Sequence, residues 1–216
     1  MVIYMSIEFI GDGYVHCISV WGEYSTCFDR ARYTFDRGIT LLNGDVDSGA
    51  WGISYLLSMY DKNNKSIVLF KPELYMDGIA CEFGDIKEKA CYMDPSNPLF
   101  NKELTVREMV EMGLSKNHIN MNVEEILEKI PITPCRFERK LSGVGNERFR
   151  CMAAIGYANK KTIYCFPWMS KNRFIYYHRN LTDVLNILGN MNNTVLMPTN
   201  LGELPDVTVS KRYIFS

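Results

Sequence analysis

A chain of 216 residues with 47% hydrophobic and 23% charged side chains has the apolar mass for one domain with its own core, or for two small lobes. Its 24 basic and 25 acidic side chains leave a formal charge of -1, which weighs against a dedicated nucleic-acid binder, a class that carries a basic excess. No apolar run reaches the length of a bilayer span, so membrane association is expected only through a partner.

The opening residues, Met1 to Gly13, are apolar only briefly and lack a basic lead-in or a small-residue cleavage site. They predict a first strand and not a signal peptide. Tyr14 to Val20 alternates weakly, and Arg32 to Phe35 runs into the turn signal Asp36-Arg37-Gly38; both predict strands. The apolar run Ile39 to Leu42 predicts a buried strand. It leads into the small, polar loop Asn43-Gly44-Asp45-Val46-Asp47-Ser48-Gly49, and Ala50 to Tyr60 then has the spacing of a buried helix.

Ser66 to Phe70 and Ile79 to Phe83 predict further strands, and Tyr92 to Phe100 a loop with two prolines. Leu104 to Met112 starts a helix, with Thr105 as N-cap and Glu108 three residues on. Asn122 to Ile130 predicts a short amphipathic helix, and Pro131 and Pro134 end that helical region. Leu141-Ser142-Gly143-Val144-Gly145 is a second small-residue loop before a helix that reaches about Ala158. Thr162 to Phe166 predicts a strand closed by Pro167, Leu181 to Met191 a helix and Thr194 to Met197 a strand; Val207 to Ser210 and Tyr213 to Phe215 add two short ones. Strands followed by helices, with a helical insert, predict an α/β core with a largely parallel sheet.

The seven cysteines (17, 27, 81, 91, 135, 151 and 165) are scattered, odd in number and never spaced CxxC, which predicts free thiols in a reducing compartment. His16, His118 and His178 are far apart and in no ligand spacing, so no metal site is expected.

Strand, glycine loop, helix is the order that cradles a phosphate, through backbone N–H groups and the helix N-terminus. In GxxxxGK[ST] the lysine reaches the β- and γ-phosphates and the hydroxyl holds Mg²⁺. Gly44 and Gly49 keep that spacing, but Ala50 and Trp51 follow. Taken alone the loop reads as a strand-to-helix turn. Other motifs stand in a telling order around it. Leu141-Ser142-Gly143 with Arg148 resembles the signature LSGGxxQR of ABC ATPases. Cys165-Phe166-Pro167 closes an apolar strand where that family has Asp-Glu-Pro. Thr194 to Asn200 resembles the strand leading to the switch histidine. Tyr92-Met93, Pro98-Leu99-Phe100 and Leu104 to Glu108 resemble the Q-loop region and the helix after it. Trp21-Gly22 lies where the family stacks an aromatic residue on adenine.

The chain thus resembles the ATP-binding subunits of ABC transporters from about Trp21 to Asn200. The resemblance implies one P-loop NTPase-like domain over 1–216, with an N-terminal antiparallel β portion. It implies a mostly parallel core from 1–90 and 151–216, and a helical lobe at about 101–150 ending in the signature-like loop. It also implies a degenerate member. The Walker A lysine and hydroxyl fall at Ala50 and Trp51, the Walker B Asp and the catalytic Glu at Cys165 and Phe166. The Q-loop Gln falls at Pro95, or at Asp94 with a one-residue shift, the D-loop Asp at Asn172 and the switch His at Asn200. Phosphoryl transfer needs a cation clamp, Mg²⁺ and a group that orients water, so no catalytic residue and no hydrolysis by this chain alone are expected. Its own nucleotide positions are Trp21, Gly44, Gly49, Ala50 and Trp51, with Trp51 expected to crowd the triphosphate. Ser142, Gly143, Val144 and Gly145 are implied to act in trans on ATP and Mg²⁺ held by a partner.

The implied partners are a multi-span permease and an active ATPase subunit or a second copy, with the chain on the cytoplasmic face of the membrane; small subunits of this kind resemble those of bacterial exporters. Other readings stay open at this point: a scaffold or regulatory protein with this fold and no transporter, or an enzyme using Cys165. Ser142-Gly143 also fits an N-cap for the following helix, and Met109, Met112 and Met121 fit either a contact surface or a small lobe core.

Overall fold

The computed structural model describes residues 5–215, so the strand expected at the extreme N-terminus lies partly outside them. In chain order the elements are β1 (Ile7–Ser19), β2 (Gly22–Phe35), β3 (Gly38–Asn43), α1 (Ala50–Met59), β4 (Ile67–Met76) and β5 (Ile79–Ala80). Then come α2 (Phe83–Lys89), β6 (Ala90–Tyr92), α3 (Val106–Lys116), α4 (Val123–Lys129) and α5 (Pro134–Phe137). Two 3₁₀ turns, Leu141–Gly143 and Gly145–Glu147, precede α6 (Arg148–Ala158), β7 (Ile163–Cys165), α7 (Lys171–Asn190), β8 (Thr194–Thr199) and β9 (Lys211–Ile214).

Two sheets result. β1 and β2 form a long hairpin paired from Ile7↔Phe35 to Ser19↔Gly22, and β4 and β5 extend it in the order β2-β1-β4-β5, all antiparallel. On β1 the residues Ile7, Phe9, Val15 and Cys17 are fully buried while alternate positions face outward, the period-2 pattern of a one-sided sheet. The second sheet runs β6-β7-β8-β3-β9, and each of its pairings is parallel. Its central strands are buried along their length, which is why they read as apolar runs without alternation.

α1 packs against strands of both sheets, and one apolar cluster joins Trp51, Ile53, Leu56 and Leu57 to Phe9, Phe28, Leu42, Cys165 and Leu196. A second cluster covers the other face of the parallel sheet, built from α3, α4, α6 and α7 around Phe137, Phe149, Phe166 and Phe174. The fold is therefore an α/β domain with a parallel core, an antiparallel N-terminal sheet and a group of helices between residues 106 and 158.

Several expectations need correction. The strand expected to reach Phe83 stops at Ala80, because Asp85 accepts a hydrogen bond from the Glu82 amide (2.8 Å) and starts α2. The short strand β6 was not expected. Pro134 does not close the helical region: it opens α5, where a proline at the first helical position loses no hydrogen bond. α7 begins at Lys171, not near Leu181; the Ser170 hydroxyl accepts from the Arg173 amide (3.3 Å) at its start. Its first half shows solvent Ile175 and Tyr176, which hid the helical period. Val207 to Ser210 forms no strand; Ser210 alone bonds the sheet, its amide donating to Ile39 O (2.8 Å) and its hydroxyl accepting from the Ile39 amide (3.3 Å).

Candidate functional site

The glycine loop leaves the end of β3 and is held by its own chain. Asn43 Nδ2 donates to the carbonyls of Thr199 (3.3 Å) and Leu201 (2.6 Å), and the Gly44 amide donates to Thr199 O (3.0 Å). The Gly44 carbonyl accepts from the indole of Trp168 (3.0 Å). Ser48 turns back on Asp45 O through its amide and its hydroxyl (3.1 and 2.7 Å). Gly49 has φ 96°, and a Cβ there would lie 2.6 Å from Cys27 O and 2.7 Å from Phe28 Cβ, so only glycine fits. Its amide donates to Thr26 Oγ1 (2.7 Å). Two exposed carboxylates, Asp45 and Asp47, stand on this loop and no lysine does.

Trp51 is turned into the core. Its indole is 5% exposed and donates to Tyr92 Oη (2.9 Å), which in turn donates to Ile18 O (3.1 Å). At the end of β7, Cys165 and Phe166 are fully buried. Burial pushes the Cys165 thiol up to about 12, with Ser58 and Ser54 pulling the other way, so it is a neutral thiol at physiological pH and a poor nucleophile. Ser54 Oγ donates to Phe166 O (2.6 Å). The Phe166 ring packs on Phe149 at 5.6 Å, and Phe149 meets Trp21 at 5.9 Å and Tyr177 at 5.8 Å. Arg173 lies 5.5 Å from the Trp21 ring and donates to Trp21 O (3.2 Å).

All three tryptophans of the chain, Trp21, Trp51 and Trp168, line one cavity of about 250 Å³, together with Tyr24, Glu23, Val46 and Arg173. Of the positions expected to handle nucleotide, the structure brings Trp21 and Trp51 to this cavity; the loop itself contributes Val46, and Gly44 and Gly49 do not line it. Cys165 and Phe166 sit in the core beneath. Asn172 is exposed in the first turn of α7, and Asn200 Oδ1 accepts from the Lys171 amide (3.0 Å), joining the D-loop and switch positions. Trp168 was missed. Its only signal was its place just after the strand closed by Pro167.

The signature-like loop is built differently. Ser142, Gly143 and Gly145 are exposed, while Val144 is fully buried and anchors the loop. Gly145 has φ 62° and open space around a Cβ, so glycine there serves backbone freedom and not close packing. Ser142 does not cap α6, because it lies in the first 3₁₀ turn and the second separates it from the helix, whose N-cap is Glu147. Glu147, just before α6, accepts instead from the Thr133 amide (3.0 Å) and hydroxyl (2.6 Å). Ser142 and Pro95 line a second cavity, of about 360 Å³, with Val20, Phe100, Lys102, Leu141 and Arg148. Beside Pro95, Asp94 is buried and accepts from the amides of Val20 (3.1 and 3.2 Å) and Ser96 (2.9 Å). Burial holds its carboxyl above the usual value; those bonds and the charge of Arg148 offset part of that.

A third cavity, of about 280 Å³, opens between Leu99, Leu104 and α3. Met109 is core there, Met112 is 59% exposed and Met121 is partly buried against the helical cluster, so only Met112 offers a contact surface. No helix of the described residues is long and apolar enough to cross a membrane.

No family model and no curated protein matches the sequence. Solved structures do resemble the fold. An ATP-binding protein assigned to an ABC transporter of Pyrococcus furiosus is 17% identical, with 97% of each chain covered and a TM-score of 0.62. A dimeric ATP-binding cassette in a post-hydrolysis state with ADP and Pi is 13% identical, with 97% of this chain and 94% of that one covered and a TM-score of 0.63. The cbiO1 protein of Clostridium perfringens, part of the ABC transporter complex cbiONQ, is 9% identical, covering 97% and 85%, with a TM-score of 0.62. At these identities the likeness establishes the fold: it is that of ABC transporter ATP-binding domains.

Proposed function

From this fold we propose that the chain is a non-hydrolysing ATP-binding-cassette subunit that pairs with an active ATPase and a membrane permease. One observation carries the reading. The positions that would handle this chain's own phosphates are aromatic or buried, at Trp51, Cys165 and Phe166, whereas Ser142 and Gly143 of the signature-like loop remain at the surface. A loop of that kind serves ATP held by the partner. The dimeric state of one structural neighbour and the transporter complex of another support such an assembly.

In this assembly the chain lies on the cytoplasmic face of the membrane. The groove bearing Met112 suits an adaptable apolar contact with the permease. The test is reconstitution with an intact ATPase subunit. The mixed complex is expected to hydrolyse ATP faster than the partner alone, and Ser142→Arg in this chain to abolish the gain. An unchanged rate in that variant contradicts the trans role, and recovery of the chain without any membrane protein favours a soluble scaffold.

A further inference from the structure

The cavity beside the signature-like loop is a mainly apolar pocket with two cationic residues in its lining. Its walls are Val20, Phe100 and Leu141, and Phe100 and Leu141 are buried. Arg148, Lys102 and Ser142 line it as well. The Nε of Arg148 is buried without a hydrogen-bond partner among the described residues. The ion pairs of the described residues use neither Arg148 nor Lys102. Asp94, whose carboxyl feels the charge of Arg148, gives its oxygens to the Val20 and Ser96 amides.

A cavity of about 360 Å³ with apolar walls and a few converging polar groups has the form of a small-molecule site.

We propose that this cavity binds a small amphiphilic anion: an oxyanion head on an apolar body. The planar fork of Arg148 takes the head, Lys102 and Ser142 flank it, and the body lies on Val20, Phe100 and Leu141. A cationic ligand meets like charge there, and a neutral one leaves the guanidinium unanswered. The site belongs to the chain alone, so it stands or falls without a partner subunit or ATP.

The experiment titrates the full chain with anilinonaphthalene sulfonate, an apolar dye with a sulfonate head, and displaces it with octanoate, octylammonium, octanol or Mg·ATP. Octanoate is expected to displace the dye, and the other three at equal concentration are not. Arg148→Met is expected to weaken octanoate binding about tenfold or more, with an unchanged far-ultraviolet spectrum. Should Arg148→Met fail to fold, Lys102→Ala, at an exposed side chain, is expected to weaken it a few-fold and to flatten its salt dependence. Equal displacement by octylammonium or octanol, displacement by Mg·ATP, or wild-type octanoate affinity in the folded variants would overturn the proposal.

Discussion

The two loops that the sequence singled out end in opposite states. Around the Gly44–Gly49 loop the inward-facing polar groups are answered within the chain: Gly44 O by Trp168, the Gly49 amide by Thr26, Trp51 by Tyr92, Arg173 by Trp21. Space that a charged, metal-bound phosphate would need is held by indole and phenyl rings. Around the Ser142–Gly145 loop Ser142, Gly143 and Gly145 stay exposed, and the Nε of Arg148 has no hydrogen-bond partner among the described residues. When a site loses its chemistry, apolar packing can take over the vacated volume and adds stability. On the proposed reading the second loop works outside its own chain and gains nothing from being filled; of its residues 142–145 only Val144 is buried.

The largest test of this contrast is Phe166. Phe166→Ala is expected to cost about 3–5 kcal/mol in a urea unfolding curve, since the ring joins the Phe149 and Trp21 cluster. Phe166→Glu, which places there the acid that the resemblance implies, is expected to cost more and to give no hydrolysis, because an unpaired carboxylate is buried among rings. A near-neutral effect breaks the claim that packing has replaced chemistry. Next comes Val144→Gly, which supplies the second glycine that the resemblance implies. It removes a fully buried side chain and is expected to cost about 2–3 kcal/mol; retention of wild-type stability means the loop is not anchored there. Gly49→Ala forces a Cβ at φ 96° against Cys27 O and is expected to cost about 1–3 kcal/mol by the same measurement.

The smallest effect is a matter of pH. The Asp94 carboxyl is raised in the fold, chiefly by burial, so its stabilising contribution is complete below the ordinary carboxylate range. That contribution is lost as pH rises from the unfolded value through the folded one. Asp94→Asn keeps an acceptor for the Val20 and Ser96 amides and is expected to abolish this loss. The stability of wild type relative to the variant should therefore fall between mildly acid and neutral pH, in matched urea titrations. A relative rise would reverse the sign.

The legible parts of the fold were those whose signals are local. The runs Ile39–Leu42 and Thr194–Met197 read as buried strands because both their faces are covered, and Thr105 with Glu108 announced the start of α3, where the capping box forms. α2 and the first half of α7 were illegible. One begins from a carboxylate cap with few apolar residues, and the other exposes Ile175 and Tyr176 where a helical period asks for polar residues. At the site, motif order located the loops. It gave no sign that Trp168 closes over Gly44, or that Arg148 and Lys102 meet Ser142 in one cavity, since these contacts join residues far apart in sequence.

The account rests on the closed state of the first loop. Because all three tryptophans line its cavity, their fluorescence reports directly on anything that enters. Titration of the isolated chain with Mg·ATP into the millimolar range is predicted to give no saturable change in that emission. A saturable change, lost in Gly49→Ala, would show that the chain keeps a nucleotide site of its own and would contradict the account.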